Sequence, residues 1–277
     1  MTSRTDIRQR PSTMLLAQIS DLHVMPKGQL AYGRVDTAGM LRNAVAHLNR
    51  LDPRPDAVVI TGDLADGGEP LAYQHLREIL AGLKLRFFVI PGNHDRIAEF
   101  RSAFSDQPYL PADGEFIQYV IDDFAVRIVA AHSVVPGRTS GEMDDERLAW
   151  LDRTLGEKPH TPTVVMMHHP PFATGLAHFD VVGMPDVAGL ERVIARHPQV
   201  ERILCGHVHR AIQVRFGGTI ASACPSTAHQ VAVDLRPNGQ DSFTLEPPGF
   251  QLHRWNGSTL FSYTVNVGAF DGPFPFH

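Results

Sequence analysis

Through about residue 210, short runs of β-branched and apolar residues alternate with longer stretches whose apolar positions recur at helical spacing. The first run, MLLAQIS at 14–20, ends on Ser-Asp. Residues 36–50 follow with apolar positions on one helical face and Asp36 placed as an N-cap. DAVVIT at 56–61 ends at Gly62-Asp63, and a helix-like stretch covers 70–82. RFFVIP at 86–91 ends at Gly92-Asn93-His94-Asp95. Further strands are expected at 125–132, at 161–171 where two prolines break the run, and at 200–209. Helices are expected at 144–156 and 186–197. This alternation is the α/β pattern. After residue 210 the helical spacing stops, and AIQVRF, TIASAC, HQVAVDL, GFQLHRW and LFSYTVNV read as antiparallel strands joined by Gly-, Asn- or Pro-bearing turns.

Composition narrows the class. Of 277 residues, 43% are hydrophobic and 20% charged, an ordinary globular balance that supports a sizeable core. The net charge of −5 and the absence of a long basic block speak against a nucleic-acid groove. No apolar run is long enough to span a membrane. The polar start lacks the apolar core of a secretory signal; residues 1–13 are expected to be a disordered tail, with Met14 an alternative start. Nothing requires Cys205 and Cys224 to pair, which fits a reducing cytoplasm.

The chemistry lies in the loops that follow the strands. Asp21 and His23 follow the first, Asp63 the second, Asn93 and His94 the third; His168 ends a later one, and LCGHVHR at 204–210 carries His207 and His209. Alone, two histidines at i and i+2 on one face of an extended segment are compatible with surface decoration. In an open α/β sheet, however, ligands gather beyond the carboxyl ends of the strands. Two Asp, one Asn and four His then suit a pair of divalent ions, with no thiolate to suggest structural zinc. Such a count gives each ion four ligands only if one is shared, and Asp63, next to a glycine that lets backbone approach, is the natural bridge. Two cations about 3.5–4 Å apart clamp the entering and leaving oxygens of phosphoryl transfer and generate hydroxide at neutral pH.

DLH, GD, GNHD, HH and GHVH occur in order over residues 14–210, and on them the chain resembles the calcineurin-like metallophosphoesterase superfamily. AYGRVD, RPDAVVITGDL, IPGNHD, MHHPPF and STAHQV extend the likeness to its class III cyclic-nucleotide phosphodiesterase and glycerophosphodiesterase branch. The resemblance implies a layered α/β sandwich of two mixed sheets flanked by helices, formed by a core at 14–210 and completed by antiparallel strands at 211–277. It implies Asp21, His23 and His209 as private ligands of one ion, Asn93, His168 and His207 of the other, and Asp63 shared. The metals are Mn, Fe, Co or Zn, undecided by the donor set. His94 is similar to the histidine that stabilises charge or protonates the leaving alkoxide, and Asp95 is expected to orient it.

The implied activity is hydrolysis of small phosphodiesters by in-line attack of a metal-bridging hydroxide, without a covalent intermediate. A nuclease, a broad phosphomonoesterase and a non-catalytic scaffold are the alternatives. Where purple acid phosphatases carry a tyrosine, three residues after the bridging Asp, this chain has Asp66, which is expected to be a solvated loop residue. Tyr32 either lines the substrate pocket or packs under the first metal loop. Ser133, beside His132, either touches substrate or makes a loop hydrogen bond. Similar proteins place a histidine like His229 near the substrate. His169 points away from His168 and is expected to support rather than ligate. His47, His75, His160, His178 and His197 are expected away from the site. Phe270, Phe274 and Phe276 in the terminal segment either pack on their own domain or anchor a partner subunit, and with the antiparallel strands after 210 a homo-oligomer is expected.

Overall fold

A computed structural model describes residues 12–277. Most of the stretch expected to be a tail lies outside the described residues. The strands are β1 (Met14–Ile19), β2 (Ala57–Thr61), β3 (Phe87–Ile90), β4 (Tyr119–Ile121), β5 (Arg127–Ala130), β6 (Thr163–Met166), β7 (Val200–Cys205), β8 (Ile212–Phe216), β9 (Thr219–Ala223), β10 (Gln230–Val231), β11 (Phe243–Thr244), β12 (Gly249–Trp255) and β13 (Leu260–Asn266). The helices are α1 (Thr37–Arg50), α2 (Pro70–Leu80), α3 (Ile97–Ala103), α4 (Asp145–Gly156), α5 (Ala177–Val182) and α6 (Ala188–Ala195). None of these is long and apolar enough to cross a membrane.

The strands form two large mixed sheets. One runs β13-β12-β1-β2-β3 and the other β4-β5-β6-β7-β9-β8. β1, β2 and β3 are parallel to one another, as are β5, β6, β7 and β9, so the carboxyl ends of each set open onto one edge. β1, β2, β3, β5, β6 and β7 are short and almost wholly buried, which is why the sequence shows continuous apolar runs there rather than alternation. Ile128, Val164, Met166 and Leu204 from the second sheet share one core cluster with Ile19, Val59 and Ile60 from the first. A second cluster buries Leu151, Leu155, Leu190 and Ile194 of α4 and α6 against Val129, Val165 and Ile203. Between the sheets, the Gln18 side chain donates to the Cys205 carbonyl at 2.9 Å.

Helix starts follow their capping residues. Asp36 accepts from the Gly39 amide at 2.8 Å and Asp144 from the Arg147 amide at 2.9 Å, each satisfying a free donor of the first turn. Pro70 opens α2, where its missing amide costs nothing. Along α1, Leu41, Ala44, Val45 and Leu48 form the buried stripe.

The C-terminal segment departs from the expected antiparallel set in two ways. β9 pairs antiparallel with β8 but parallel with β7, because the chain skips the position beside β7, forms β8 at the sheet edge and turns back to fill the gap. Of HQVAVDL only Gln230–Val231 is strand, paired with Phe243–Thr244 across a long loop, since the exposed residues beyond it meet no sheet. The segment adds strands to both sheets rather than standing apart. The short elements α3, β4 and α5 carry too little periodicity to be read from sequence.

Candidate dinuclear metal centre

Five tight turns deliver the expected ligands. Asp21, His23, Asp63, His207 and His209 all have positive φ, between 44° and 73°, a conformation rare for residues with a side chain. Such geometry costs about 1 kcal/mol or more per residue and persists only where surroundings enforce it. Asp and His tolerate it better than β-branched residues. The glycines beside them leave room: a Cβ on Gly62 (φ +97°) would sit 2.3 Å from His168 Nδ1, and one on Gly92 would sit 2.2 Å from Asp63 Oδ1.

The side chains converge. Asp21, His23, Asp63 and His209 bring ligand atoms within 4.8 Å of one another, as do His168, His169 and His207. Asn93 Oδ1 lies 3.0 Å from both His168 Nε2 and His207 Nδ1. Asp63 stands between the groups: Oδ2 faces His23 Nε2 at 3.5 Å, and Oδ1 faces His168 Nε2 at 3.4 Å.

Hydrogen bonds behind the rings fix their tautomers. His168 Nδ1 donates to the Thr61 carbonyl at 2.8 Å, His209 Nδ1 to the His229 carbonyl at 3.1 Å, and His23 Nδ1 to Asp66 at 3.3 Å. Each Nε2 then presents a lone pair inward, and those of His23 and His209 meet at 3.0 Å. Asp21 Oδ2 is buried without a hydrogen-bond partner. Converging lone pairs and a buried carboxylate oxygen repel one another unless a cation lies between them. The donor set therefore fits divalent metal, with nitrogen and oxygen ligands and backing acceptors for the imidazoles. Burial pushes the Asp21 carboxyl up to about 6, although His168 and His23 oppose it.

A family model for calcineurin-like phosphoesterases matches residues 14–211. The chain belongs to that family. A probable glycerophosphodiester phosphodiesterase of Arcobacter nitrofigilis is 37% identical over 268 residues, covering 95% of this chain and 97% of the relative. A probable cyclic nucleotide phosphodiesterase of Synechococcus is 36% identical over 238 residues, covering 86% and 89%. A dimetal phosphatase from Danio rerio shares the fold, with a TM-score of 0.61 at 15% identity and coverage of 92% and 99%.

Around this calcineurin-like centre the other expected residues are placed as follows. His94 lines the cleft, and its backbone amide donates to Asp63 Oδ1 at 2.9 Å. Its partner is not Asp95. The Asp95 carboxylate is buried and accepts from Leu64, Ala65, Gly92 and the Tyr73 hydroxyl, which knits the second and third ligand loops together. Asp66 instead takes His94 Nδ1 at 2.8 Å while also holding His23. It is no solvated loop residue: its side chain is 22% exposed, and although burial pushes the carboxyl up, bonds to His23 and His94 hold it far below its usual range. For His94, burial works against the charged form, but Asp63 and the Asp66 bond raise it to about 9.

Tyr32 and His229 line the cleft. Ser133 does not; it is buried, and its hydroxyl engages His169 Nδ1 at 2.9 Å. His169 Nε2 faces the Thr139 carbonyl at 3.1 Å, so both its nitrogens are engaged behind the ligands. His178 was expected elsewhere but stands in the cleft wall, paired with Asp241 at 3.2 Å. Phe179, Asp241 and Phe243 in the same wall had no motif to announce them. Asp66 had one signal, its place three residues after Asp63.

Proposed function

We propose that the chain hydrolyses small phosphodiesters at two divalent ions, Mn, Fe, Co or Zn, held by Asp21, His23 and His209 on one side and Asn93, His168 and His207 on the other, with Asp63 shared. The observation that carries this reading is Asp63, whose two oxygens face separate sets of inward-turned imidazole lone pairs. Bound ions would supply charge for the phosphoryl oxygens and water of lowered pKa. Relatives named as glycerophosphodiester and cyclic nucleotide phosphodiesterases support the diester as substrate.

The chain's own groups do the rest. A cleft of about 500 Å³ leads to the centre, enough for a nucleoside- or glycerol-sized ester. His94 carries a proton at neutral pH because its pKa is raised to about 9. With Nδ1 fixed by Asp66, Nε2 is the atom that delivers the proton to the departing alcohol. Cys205 and Cys224 are buried free thiols, in keeping with a reducing compartment. Exposed Phe261 and Tyr263 on β13, with Phe270, Phe274 and Phe276 beyond it, support a homo-oligomer.

The test is a substrate panel on metal-reconstituted protein: 3′,5′-cyclic AMP, glycerophosphodiesters and phosphomonoesters, with metal content measured in parallel. Preference for diesters with two ions per chain is expected. A monoester preference, or saturation at one ion, refutes the reading.

A further inference from the structure

The cleft is lopsided in chemistry. Tyr32 and Phe243 form one wall, their ring centroids 5.0 Å apart and tilted by 32°. His229 closes the corner, 5.2 Å from Tyr32 and 5.1 Å from Phe243. Tyr32 is 54% exposed, so ring surface faces the opening. Phe179, which also lines the cleft, lies 5.6 Å from His207. Asp241 stands on the rim, its carboxylate 3.2 Å from His178. Among the described residues that line the cleft, none is Lys or Arg.

This arrangement discriminates between alcohol groups. A second anionic group on the ester would meet Asp241 with no Lys or Arg to receive it and with His178 already engaged by that carboxylate. A neutral group would gain only apolar contact with the rings. A quaternary ammonium has no hydrogen-bond donors to satisfy and is drawn both to an aromatic face and to a carboxylate.

We infer that Tyr32, Phe243 and Asp241 form a subsite for a quaternary-ammonium alcohol, so that the preferred diesters are zwitterions with their phosphate at the His/Asp centre and their cation on this wall. The inference rests on the diesterase reading and names the substrate class within it. It makes Asp241 a specificity-determining residue.

Paired esters test it: glycerophosphocholine and its 3,3-dimethylbutyl isostere, in which carbon replaces the charged nitrogen. With metal-loaded wild type, kcat/KM is expected to favour the choline ester by roughly tenfold. Asp241→Asn and Tyr32→Leu should each pull that ratio toward one. Tetramethylammonium chloride should inhibit hydrolysis of the neutral ester competitively, and less well in Asp241→Asn. A wild-type ratio of one, or a ratio that survives both substitutions, overturns the subsite. So does loss of cyclic AMP hydrolysis in Tyr32→Leu while the two esters remain equal, which would make the wall a base-stacking surface. Failure to hydrolyse either ester or cyclic AMP at full metal content would instead refute the diesterase reading beneath it.

Discussion

Asp66→Asn separates charge from shape at the bond that holds His94. The amide keeps an acceptor oxygen where the carboxylate lies 2.8 Å from His94 Nδ1, but removes the negative charge. A hydrogen bond to a charged group contributes about 1.5–3 kcal/mol. Both partners are partly exposed, with side chains 37% and 22% accessible, so screening reduces the difference to about 1–2 kcal/mol. At about 1.4 kcal/mol per pH unit, the His94 pKa should fall by about one unit from its raised value. A general acid works below its pKa and fails as pH rises through it. The alkaline limb of kcat should therefore move to lower pH by about one unit, with kcat down about twofold at pH 8 and roughly tenfold at pH 10. The assay is a pH profile of kcat on an alkyl diester, repeated with a p-nitrophenyl diester whose leaving group needs little protonation. The alkyl ester should lose more. Identical profiles for wild type and variant, or equal losses on both esters at unchanged metal content, refute the assignment of His94 as proton donor.

Asp63→Ala should release both ions, read as less than one ion per chain by elemental analysis; retention of two ions contradicts sharing through Asp63. Gly62→Ala forces a Cβ to within 2.3 Å of His168 Nδ1 at φ +97°, so it should weaken metal binding by roughly 10–100-fold, measured by competition with a chelator; wild-type affinity would contradict the packing. Burial, then the nearby Arg202 charge, lower His253 to about 3, so the folded state resists a proton that the unfolded chain accepts near pH 6.5. Stability is full above pH 6.5 and falls by up to about 1.4 kcal/mol per pH unit between 6.5 and 3, so His253→Gln should flatten the acid side of urea-unfolding midpoints in metal-free protein; an unchanged slope would remove His253 as a cause.

The buried parallel strands were legible because their apolar runs end on the candidate ligands, as at Ile60-Thr61-Gly62-Asp63. The residues that approach the centre were legible for the same reason, since each sits at the carboxyl end of a strand. What failed was information not carried by local pattern. Asp95 is next to His94 in sequence and Asp66 lies 28 residues before it, yet the turn geometry brings Asp66 to the ring while Asp95 turns inward to Tyr73 and three amides. Ser133 follows β5 on the right edge, yet its hydroxyl points back to His169. His178 and Asp241 lie far apart along the chain, and neither has a motif; they meet because α5 and the loop before β11 face each other over the cleft. The parallel entry of β9 is equally silent, because strand direction depends on the path of the connection rather than on which residues alternate.

Residues from both sheets surround Asp63: the loops after β1, β2 and β3 come from one, those after β6 and β7 from the other. Ions lodged there would rivet the two halves of the sandwich across their shared rim. Each ion at a hundredfold excess over its dissociation constant adds about 2.7 kcal/mol to the folded state. Scarcity of metal would thus do more than idle the enzyme; it would slacken the joint, leaving the shared apolar core and bonds such as that from Gln18 to the Cys205 carbonyl to hold it.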